Sequence, residues 1–419
     1  MNSRPDKIYL LLAKTLGLLC LVLICNTASA VKVPEQATNA ESAQTDTECV
    51  FNWAQTFYSN LLSPPVSGVQ SSPPYTYRYY PDTHAYIGVS SADNHVYYLG
   101  PEGTLQDVGD LSDSLAVSGC GARPYPVIFI HGLASSADTW TAYRDYLISN
   151  AFWTFGGIPA YDQTAKTVGI GCPSGSSVQC TGSAGDFYTL NFSDTQSLSF
   201  DVQGGELAAI VKAVLAANPG KTKVLLISHS IGGLAAREYL QGLARELNAA
   251  TTIPYGGDVA KLITIGTSHQ GSFWAEACHN PVDIPVGAGI CDLLPLPIDS
   301  NSIVIQDLQP GSPALNSLND LATHPLPADI AYVSIIATGQ STLTGFVDFS
   351  DGDGVVSDVS QDLAMVSGNL AQHKSLRINV PFQACGNKIT LPIVGDIGET
   401  HTCETTDIGI GAEVLRDLQ

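Results

Sequence analysis

Residues 223–240 read K-V-L-L-I-S-H-S-I-G-G-L-A-A-R-E-Y-L. The apolar run V-L-L-I predicts a buried strand, and the pattern from Leu234 onward predicts a helix that begins almost at once. Between them, Gly232 and Gly233 permit a tight turn. A turn between a strand and a helix can hold one serine, here Ser230, at a strained corner with its hydroxyl clear of the backbone. Ser230 is therefore a candidate nucleophile.

Length and composition indicate a folded protein. The chain has 419 residues, of which 44% are hydrophobic and 14% charged, so one large or two moderate domains can each bury a core. The formal net charge is -21, from 18 Lys+Arg against 39 Asp+Glu, and no stretch is rich in Lys and Arg. This balance argues against a nucleic-acid partner. It also disfavours anionic membranes, although a local apolar patch leaves a lipid interface as a candidate partner.

The N-terminus is typical of an export signal. Basic residues precede an apolar run, and A-S-A at 28–30 supplies small residues for cleavage, so residues 1–30 are predicted to be a signal peptide. The apolar run is shorter than the roughly 20 residues of a membrane span. We therefore expect a secreted protein, extracellular or periplasmic. Residues 31–47 are small and polar, as in a flexible linker.

The cysteines predict disulfides. Ten cysteines less the two within residues 1–30 leave an even eight, and an even number in an exported chain indicates disulfide bonds. Pairing of neighbours is the simplest scheme, although sequence alone leaves other pairings open: Cys49–Cys120, Cys172–Cys180, Cys278–Cys291 and Cys385–Cys403. No C-x-x-C pair or histidine cluster at ligand spacing suggests zinc, and no cofactor is predicted.

Residues 48–120 are predicted to form a small β-rich module closed by Cys49–Cys120. The segment has tyrosine-rich runs separated by turn residues. Its motifs Y-R-Y-Y-P, Y-I-G-V and V-Y-Y-L-G-P resemble a module of exported bacterial proteins. The tyrosines fit two hypotheses: strand formers that pack a small sheet, which their propensity favours, or a face that binds sugar or a surface.

Residues 121–419 alternate between strand and helix patterns. Strands are predicted at 126–130, 187–192, 224–227, 262–265, 330–336 and 376–380, and helices at 140–150, 205–217 and 408–418. This order predicts an α/β domain, with a mainly parallel sheet and helices on both faces. The stretch at 273–329 breaks the rhythm with several prolines, and we interpret it as a lid-like insertion.

Five motifs of this domain occur together. They are P-V-I-F-I-H-G-L, S-H-S-I-G-G-L-A-A-R, I-T-I-G-T-S-H-Q-G-S, D-L-Q-P-G-S-P-A-L and D-G-D-G-V-V-S. In this order they resemble the bacterial lipase branch of the α/β-hydrolases, over about residues 123–419. The family is similar to triacylglycerol lipases and, more distantly, to hydrolases that deacylate lipid anchors. The resemblance implies a serine carboxylic-ester hydrolase, a lipase or esterase that acts on acyl (lipid) esters through an acyl-enzyme.

The chain order of the fold assigns the other catalytic groups, since acid and then histidine follow the serine. The aspartates in the right interval are Asp348, Asp351, Asp353 and Asp358. Asp353 heads the D-G-V-V-S that resembles the family's acid turn, and Asp351 is the alternative. Only His373 and His401 follow. His401 lies after the last predicted core strand, where the family has its base, so the expected triad is Ser230, Asp353 and His401.

Two backbone N–H groups are expected to stabilise an oxyanion. Ile231 follows the nucleophile, and the family's His-Gly-x pattern assigns the second donor to Leu133. The motif departs from G-x-S-x-G in one position, where Ser228 replaces the first glycine. Because serine is also small, this departure leaves the assignment in place.

Some functional questions remain open in the sequence. The acid-rich loop fails the EF-hand register, because Phe349 stands where a ligand is needed, but a calcium site of another kind is not ruled out. An acyltransferase would use the same triad. The alternative class is a surface-binding or adhesion protein with an inactive hydrolase domain. Acyl-chain length, oligomeric state and the need for a folding helper do not follow from these residues.

Overall fold

The computed structural model describes residues 51, 70–81, 83–110, 123–149, 153–174, 178–281, 289–367, 370, 372–383, 385–391 and 395–418. The predicted signal peptide, the linker and the Cys49–Cys120 pair lie outside these residues. The chain divides into two compact units, with the boundary between Ala122 and Arg123. No helix in the described part of the chain is both long and apolar enough to cross a membrane.

The first unit contains a five-stranded antiparallel sheet, which confirms a β-rich N-terminal module. Its strands follow one another in space as in sequence: β1 (Gln70–Ser72), β2 (Tyr75–Tyr80), β3 (Ala85–Ser90), β4 (His95–Leu99) and β5 (Leu105–Asp110). Alternate residues of a strand point to opposite faces. One face packs Ile87, Val96 and Tyr98 together with Phe51, and this is the core of the unit.

The second unit is built on an eight-stranded sheet. Its strands are β6 (Val127–Ile130), β7 (Phe155–Asp162), β8 (Thr167–Gly171), β9 (Phe187–Thr189), β10 (Val224–His229), β11 (Val259–Ile265), β12 (Ala331–Thr338) and β15 (His373–Asn379). Two hairpins lie beside it: β13 (Gln340–Leu343) with β14 (Phe349–Gly352), and β16 (Lys388–Leu391) with β17 (Gly395–Gly398). The spatial order is β15-β12-β11-β10-β6-β9-β7-β8, and only β7 and β8 pair antiparallel.

Helices cover both faces of this sheet. They are α1 (Thr141–Ser149), α2 (Phe200–Ala217), α3 (Gly232–Leu240), α4 (Phe273–His279), α5 (Ile303–Asp307), α6 (Pro313–Asn319), α7 (Asp358–Gln361), α8 (Ala364–Ser367) and α9 (Ile408–Asp417). On β6, Ile128 packs in one cluster with Leu207 of α2. The next residue, Phe129, points the other way and its ring lies 5.1 Å from that of Trp140. The predicted fold class is therefore confirmed.

The structure also differs from the expected elements. No strand was predicted between the helix at 140–150 and the strand at 187–192, yet the structure has β7 and β8 there. The pattern of β8 is obscured because β8 is an exposed edge strand that contains glycines. Helix α2 begins at Phe200, five residues before the predicted start, with Asp201 in its first turn where a carboxylate is favourable. The 273–329 insertion contains α4, α5 and α6, so its described part includes three short helices and is not a loop throughout.

Candidate active site

Ser230 lies on the sharp turn between β10 and α3. Its φ is +55°, a left-handed conformation that is costly for a residue with a side chain, so the surrounding structure must hold it in place. Two glycines allow this turn to pack. A Cβ on Gly232 would lie 2.7 Å from the carbonyl oxygen of His131, and one on Gly233 would lie 2.3 Å from Oγ1 of Thr267. Side chains at these positions would force the turn away from the sheet.

Ser228 occupies the position of the missing first glycine. Its side chain is fully buried and its hydroxyl donates to the carbonyl oxygen of Ile263 on β11, at 3.2 Å. The hydroxyl is thus engaged by the neighbouring strand, away from the turn. The departure from the motif is accommodated by one internal hydrogen bond.

Three distant segments meet at Ser230. Nε2 of His401 lies 2.9 Å from Oγ of Ser230, and Nδ1 of His401 lies 2.8 Å from Oδ2 of Asp353. An ionised carboxylate only accepts hydrogen bonds, so Nδ1–H donates to Asp353 and Nε2 is left to accept from the serine. Burial lowers the pKa of His401, but the charge of Asp353 and its hydrogen bond outweigh burial and raise that pKa above its ordinary value.

Asp353 is held by its own turn. The N–H groups of Val355 and Val356 donate to Oδ1 at 2.7 and 2.6 Å, and Nε2 of Gln361 donates to Oδ2 at 3.2 Å. The side chain is fully buried. These donors fix the carboxylate, and its Oδ2 atom also accepts the hydrogen bond from Nδ1–H of His401.

The other residues considered for the acid and the base lie elsewhere. Asp351 is exposed and accepts from the N–H groups of Gly339 and Gly352. His373 is the first residue of β15, and its Nε2 lies 3.1 Å from Oγ of Ser334. Neither side chain is hydrogen-bonded to Ser230.

A second buried carboxyl adjoins this group, and the sequence did not reveal it. Oε2 of Glu404 lies 3.1 Å from Nε2 of His229 and 3.7 Å from Nδ1 of His401. Burial, followed by the nearby charges of Asp353 and Glu399, raises the pKa of Glu404 well above its ordinary value. Glu404 is therefore neutral where an ordinary glutamate is ionised. Its spacing from His401, three residues along one short turn, is the only signal that the sequence contained.

The loop after β6 approaches the nucleophile closely. A Cβ on Gly132 would lie 2.7 Å from Cβ of Ser230, so this position requires glycine. His131 anchors the loop, because its Nε2 accepts from the N–H of Phe192 at 3.2 Å, and burial lowers its pKa to about 4.

The two expected oxyanion donors adjoin the nucleophile. Ile231 follows Ser230 directly, and Leu133 follows Gly132. Neither backbone N–H has a hydrogen-bond acceptor among the described residues. Both are consequently available to a ligand.

A cavity of about 230 Å³ opens beside Ser230. Its apolar lining comprises Leu133, Trp274, Leu294, Leu296, Leu308, Val355 and Val356. Four of these belong to the 273–329 insertion, which forms one wall of the cavity. The ring N–H of Trp274 donates to the carbonyl oxygen of Ile290 at 2.7 Å, and this bond ties α4 to the following segment.

Three of the four proposed disulfides are present in the structure. They join Cys172 to Cys180, Cys278 to Cys291, and Cys385 to Cys403. The bond from Cys278 crosslinks the insertion. Cys403 ends the 3-10 helix that begins at His401, so the third bond ties the segment carrying the histidine to residue 385.

One group of potential metal ligands was found in the described part of the chain. It consists of His229, His401 and Glu404, all of them buried. His401 already bonds Ser230 and Asp353, and Glu404 bonds His229, so hydrogen bonding accounts for the group. It is not the oxygen-rich set that calcium prefers. A calcium site of another kind therefore stays a prediction from the sequence.

The strand order and the turn at Ser230 are those of the α/β-hydrolase fold, and the chain is similar to lipases. No family model matches the chain. It is 34% identical over 164 residues to a triacylglycerol lipase of Burkholderia plantarii, covering 39% of this chain and 35% of that protein. It is 35% identical over 156 residues to a triacylglycerol lipase of Pseudarthrobacter phenanthrenivorans, covering 37% and 36%. The match thus spans about a third of the length of these relatives.

Solved structures are also similar. A gene product of Listeria innocua aligns with 69% of this chain and 92% of its own, with a TM-score of 0.42 and 14% identity. The mature lipase BlEst2 of Bacillus licheniformis covers 61% of this chain and 86% of its own, with a TM-score of 0.36 and 19% identity.

Proposed function

We propose that the protein is a secreted serine hydrolase of carboxylic esters, and that acyl esters of the lipid type are its substrates. The observation that carries this proposal is the unbroken hydrogen-bond chain from Asp353 through His401 to Ser230, beside a cavity with an apolar wall. The similarity to triacylglycerol lipases supports an ester as the substrate. The three disulfides fit an oxidising compartment outside the cytosol.

In the first half-reaction, Oγ of Ser230 attacks the ester carbonyl carbon while Nε2 of His401 takes the hydroxyl proton. The carbonyl π electrons move to oxygen, and the N–H groups of Leu133 and Ile231 donate to that oxyanion. When the carbonyl re-forms, the carbon–alkoxy bond breaks, and His401 returns its proton to the leaving alcohol. An acyl-enzyme ester on Ser230 remains.

In the second half-reaction, water takes the place of the alcohol. His401 removes a proton from water as its oxygen attacks the acyl carbon, and the same two N–H groups stabilise the second oxyanion. The bond to Oγ of Ser230 then breaks, Oγ recovers the proton from His401, and the carboxylic acid leaves. Asp353 stays ionised throughout and stabilises the imidazolium that forms in each half.

The cavity lining supports an acyl chain as the bound part of the substrate. Trp274, Leu294 and Leu308 line the cavity beside Ser230, and burial of apolar area there yields roughly 25 cal/mol for each Å² removed from water. A polar acyl group placed against these three side chains would lose hydration there, because their carbon surfaces offer no hydrogen bonds in exchange.

Fluorophosphonate labelling tests the nucleophile. We expect the probe to modify the wild type and Ser228→Ala but not Ser230→Ala, with hydrolysis of p-nitrophenyl esters reduced about 10⁴-fold or more only in Ser230→Ala. Ser228→Ala is the matched control, since it removes a buried hydroxyl two residues away. Labelling of folded Ser230→Ala at wild-type rate would disprove the assignment.

Substrate class needs a separate measurement. Hydrolysis of p-nitrophenyl esters from acetate to palmitate, each with and without an emulsified oil interface, should give higher kcat/KM for the longer acyl chains than for acetate. A preference for acetate across the series would leave the hydrolase in place and refute the lipid-ester assignment.

A further inference from the structure

The outward face of the N-terminal sheet is aromatic, although outward positions of such a sheet are usually polar. We name as the aromatic face the five partly exposed tyrosines Tyr75, Tyr77, Tyr79, Tyr86 and Tyr97. Their rings form two contacting groups: Tyr79 stacks on Tyr86 at 4.5 Å and Tyr77 lies 6.0 Å from Tyr86, while Tyr75 lies 6.1 Å from Tyr97. The core of the unit lies on the opposite face.

Gly88 keeps this face flat. The strand register places it directly between Tyr77 on β2 and Tyr97 on β4, on the outward side. Gly88 is nevertheless buried, so neighbouring side chains cover it. A Cβ there would lie 3.3 Å from Cβ of Tyr77. Because this position has no side chain, the rings beside it can lie low against the sheet and present a platform.

Polar groups fix the rings at the rim of the platform. The hydroxyl of Tyr97 donates to Oδ2 of Asp93 at 2.8 Å, and the hydroxyl of Tyr79 lies 3.1 Å from Nδ1 of His84. Asp107 pairs with Nδ1 of His95 at 2.9 Å. Both hydrogen bonds to the tyrosines are solvent-exposed, so the platform has oriented rings with accessible carboxylates and hydroxyls beside them.

We propose that the aromatic face binds a neutral glycan of β-1,4-linked pyranoses. The two faces of such a sugar carry C–H groups, which pack on tyrosine rings, while its equatorial hydroxyls point sideways to acceptors such as Asp93 and Asp107. The rim carboxylates and the net charge of -21 disfavour acidic glycans and anionic lipids.

Sheet stabilisation alone is the competing explanation. Cross-strand aromatic pairs contribute roughly 0.2–1 kcal/mol each, and this accounts for the stacked Tyr79 and Tyr86. It does not account for Gly88 in the middle of the face, because glycine weakens a strand interior. A glycine that flattens a platform for a ligand explains both features.

The full chain should be tested for retention on microcrystalline cellulose and for calorimetric binding of cellohexaose. We expect Tyr77→Leu combined with Tyr97→Leu to weaken binding at least about tenfold, since stacking on one aromatic ring contributes on the order of 1 kcal/mol. Gly88→Thr keeps every ring but adds a side chain between Tyr77 and Tyr97, and it should weaken glycan binding to a similar extent. Tyr161→Leu, at a partly exposed tyrosine outside the face, is the matched control and should bind as the wild type does.

The outcomes separate the hypotheses. Loss of binding in both platform variants with retention in Tyr161→Leu supports the proposal. Absence of glycan binding by the wild type overturns the proposal, and so does glycan binding that the platform variants do not weaken. Binding of the wild type to phosphatidylcholine vesicles that the platform variants weaken, in place of such an effect on glycan binding, also overturns it. If the double variant does not fold, nitration of Tyr77 and Tyr97 in the wild type decides: protection by cellohexaose supports the proposal, and its absence overturns it. Ester hydrolysis is measured in parallel, so failure of the hydrolase proposal is seen independently.

Discussion

Replacing Asp353 by Asn should disable the histidine at the cost of one other contact, the 3.2 Å hydrogen bond from Nε2 of Gln361 to Oδ2. The N–H groups of Val355 and Val356 donate to Oδ1 at 2.7 and 2.6 Å, and only an oxygen can accept them. The Asn amide nitrogen must therefore face Nδ1 of His401, which now has to accept a hydrogen bond. The ring proton moves to Nε2, and Nε2 can no longer accept the proton of Ser230.

The expected loss is about 10³- to 10⁴-fold in kcat, the range found when this orienting carboxylate is removed from a catalytic triad. That loss corresponds to roughly 4–5.5 kcal/mol of transition-state stabilisation. The pH profile should change as well. His401 acts as a base only when neutral, and in the wild type the charge of Asp353 raises its pKa. In Asp353→Asn, burial acts without that opposition, so the acid limb of kcat/KM should move to lower pH.

Steady-state hydrolysis of p-nitrophenyl butyrate, from about pH 4 to about pH 9, measures both effects. Asp351→Asn is the matched control, because that carboxylate is exposed and bonds only backbone N–H groups of its hairpin. Thermal unfolding verifies that both variants fold. Activity of Asp353→Asn within tenfold of the wild type, or a large loss in Asp351→Asn instead, would refute the assignment of the acid.

Two further substitutions probe the surroundings of Ser230. Gly132→Ala should lower kcat/KM about 100-fold, because its Cβ would lie 2.7 Å from Cβ of Ser230 and displace the adjoining oxyanion donor. Gly169→Ala is the control, since nothing lies within 4 Å of its Cβ, and it should have wild-type kinetics. Equal kcat/KM values for the two variants would contradict the prediction. Glu404→Gln should keep activity within about threefold at neutral pH, since burial raises the pKa of Glu404 well above its ordinary value and so favours the neutral carboxyl that Gln resembles. A raised carboxyl pKa means that the folded state binds more protons than the unfolded state, so wild-type stability falls as pH rises above the ordinary glutamate pKa. The free energy of unfolding of Glu404→Gln, relative to that of the wild type, should therefore increase by up to about 1.4 kcal/mol per pH unit. Thermal melts in which this difference stays constant with pH would argue against a neutral Glu404.

The central fold was predictable because its signals are local. The first four residues of β10 are apolar and buried, so most of the strand is an apolar run in the sequence, and the glycines after it indicate the turn directly. Edge strand β8 lacked such a signal, since its residues alternate between partly and fully exposed positions and glycine contributes no side chain to the pattern. The hairpin β16–β17 likewise depends on tertiary contacts.

The residues of the candidate site also differ in how far the sequence could predict them. Asp353 and His401 could be selected by chain order and by resemblance, because each follows a core strand in the expected sequence. Glu404 could not be selected, since its role depends on burial that only the fold creates. Gly266, which follows β11 at φ +57°, leaves room for the Glu404 side chain, because a Cβ there would lie 2.0 Å from Oε2 of Glu404. The sequence contains that glycine but not the distance.

In the proposed mechanism, the turn that holds Asp353 also couples catalysis to substrate binding. Val355 and Val356 hold Asp353 through their N–H groups, and their side chains line the cavity beside Ser230. The hydroxyl of Ser272, at the start of α4, donates to the carbonyl oxygen of Val355, so the insertion that forms one cavity wall is tied to the same turn. A substitution that reshapes this wall therefore also moves the acid. Changes at the insertion and at the turn should combine non-additively in kcat, because residues in one hydrogen-bond network do not act independently.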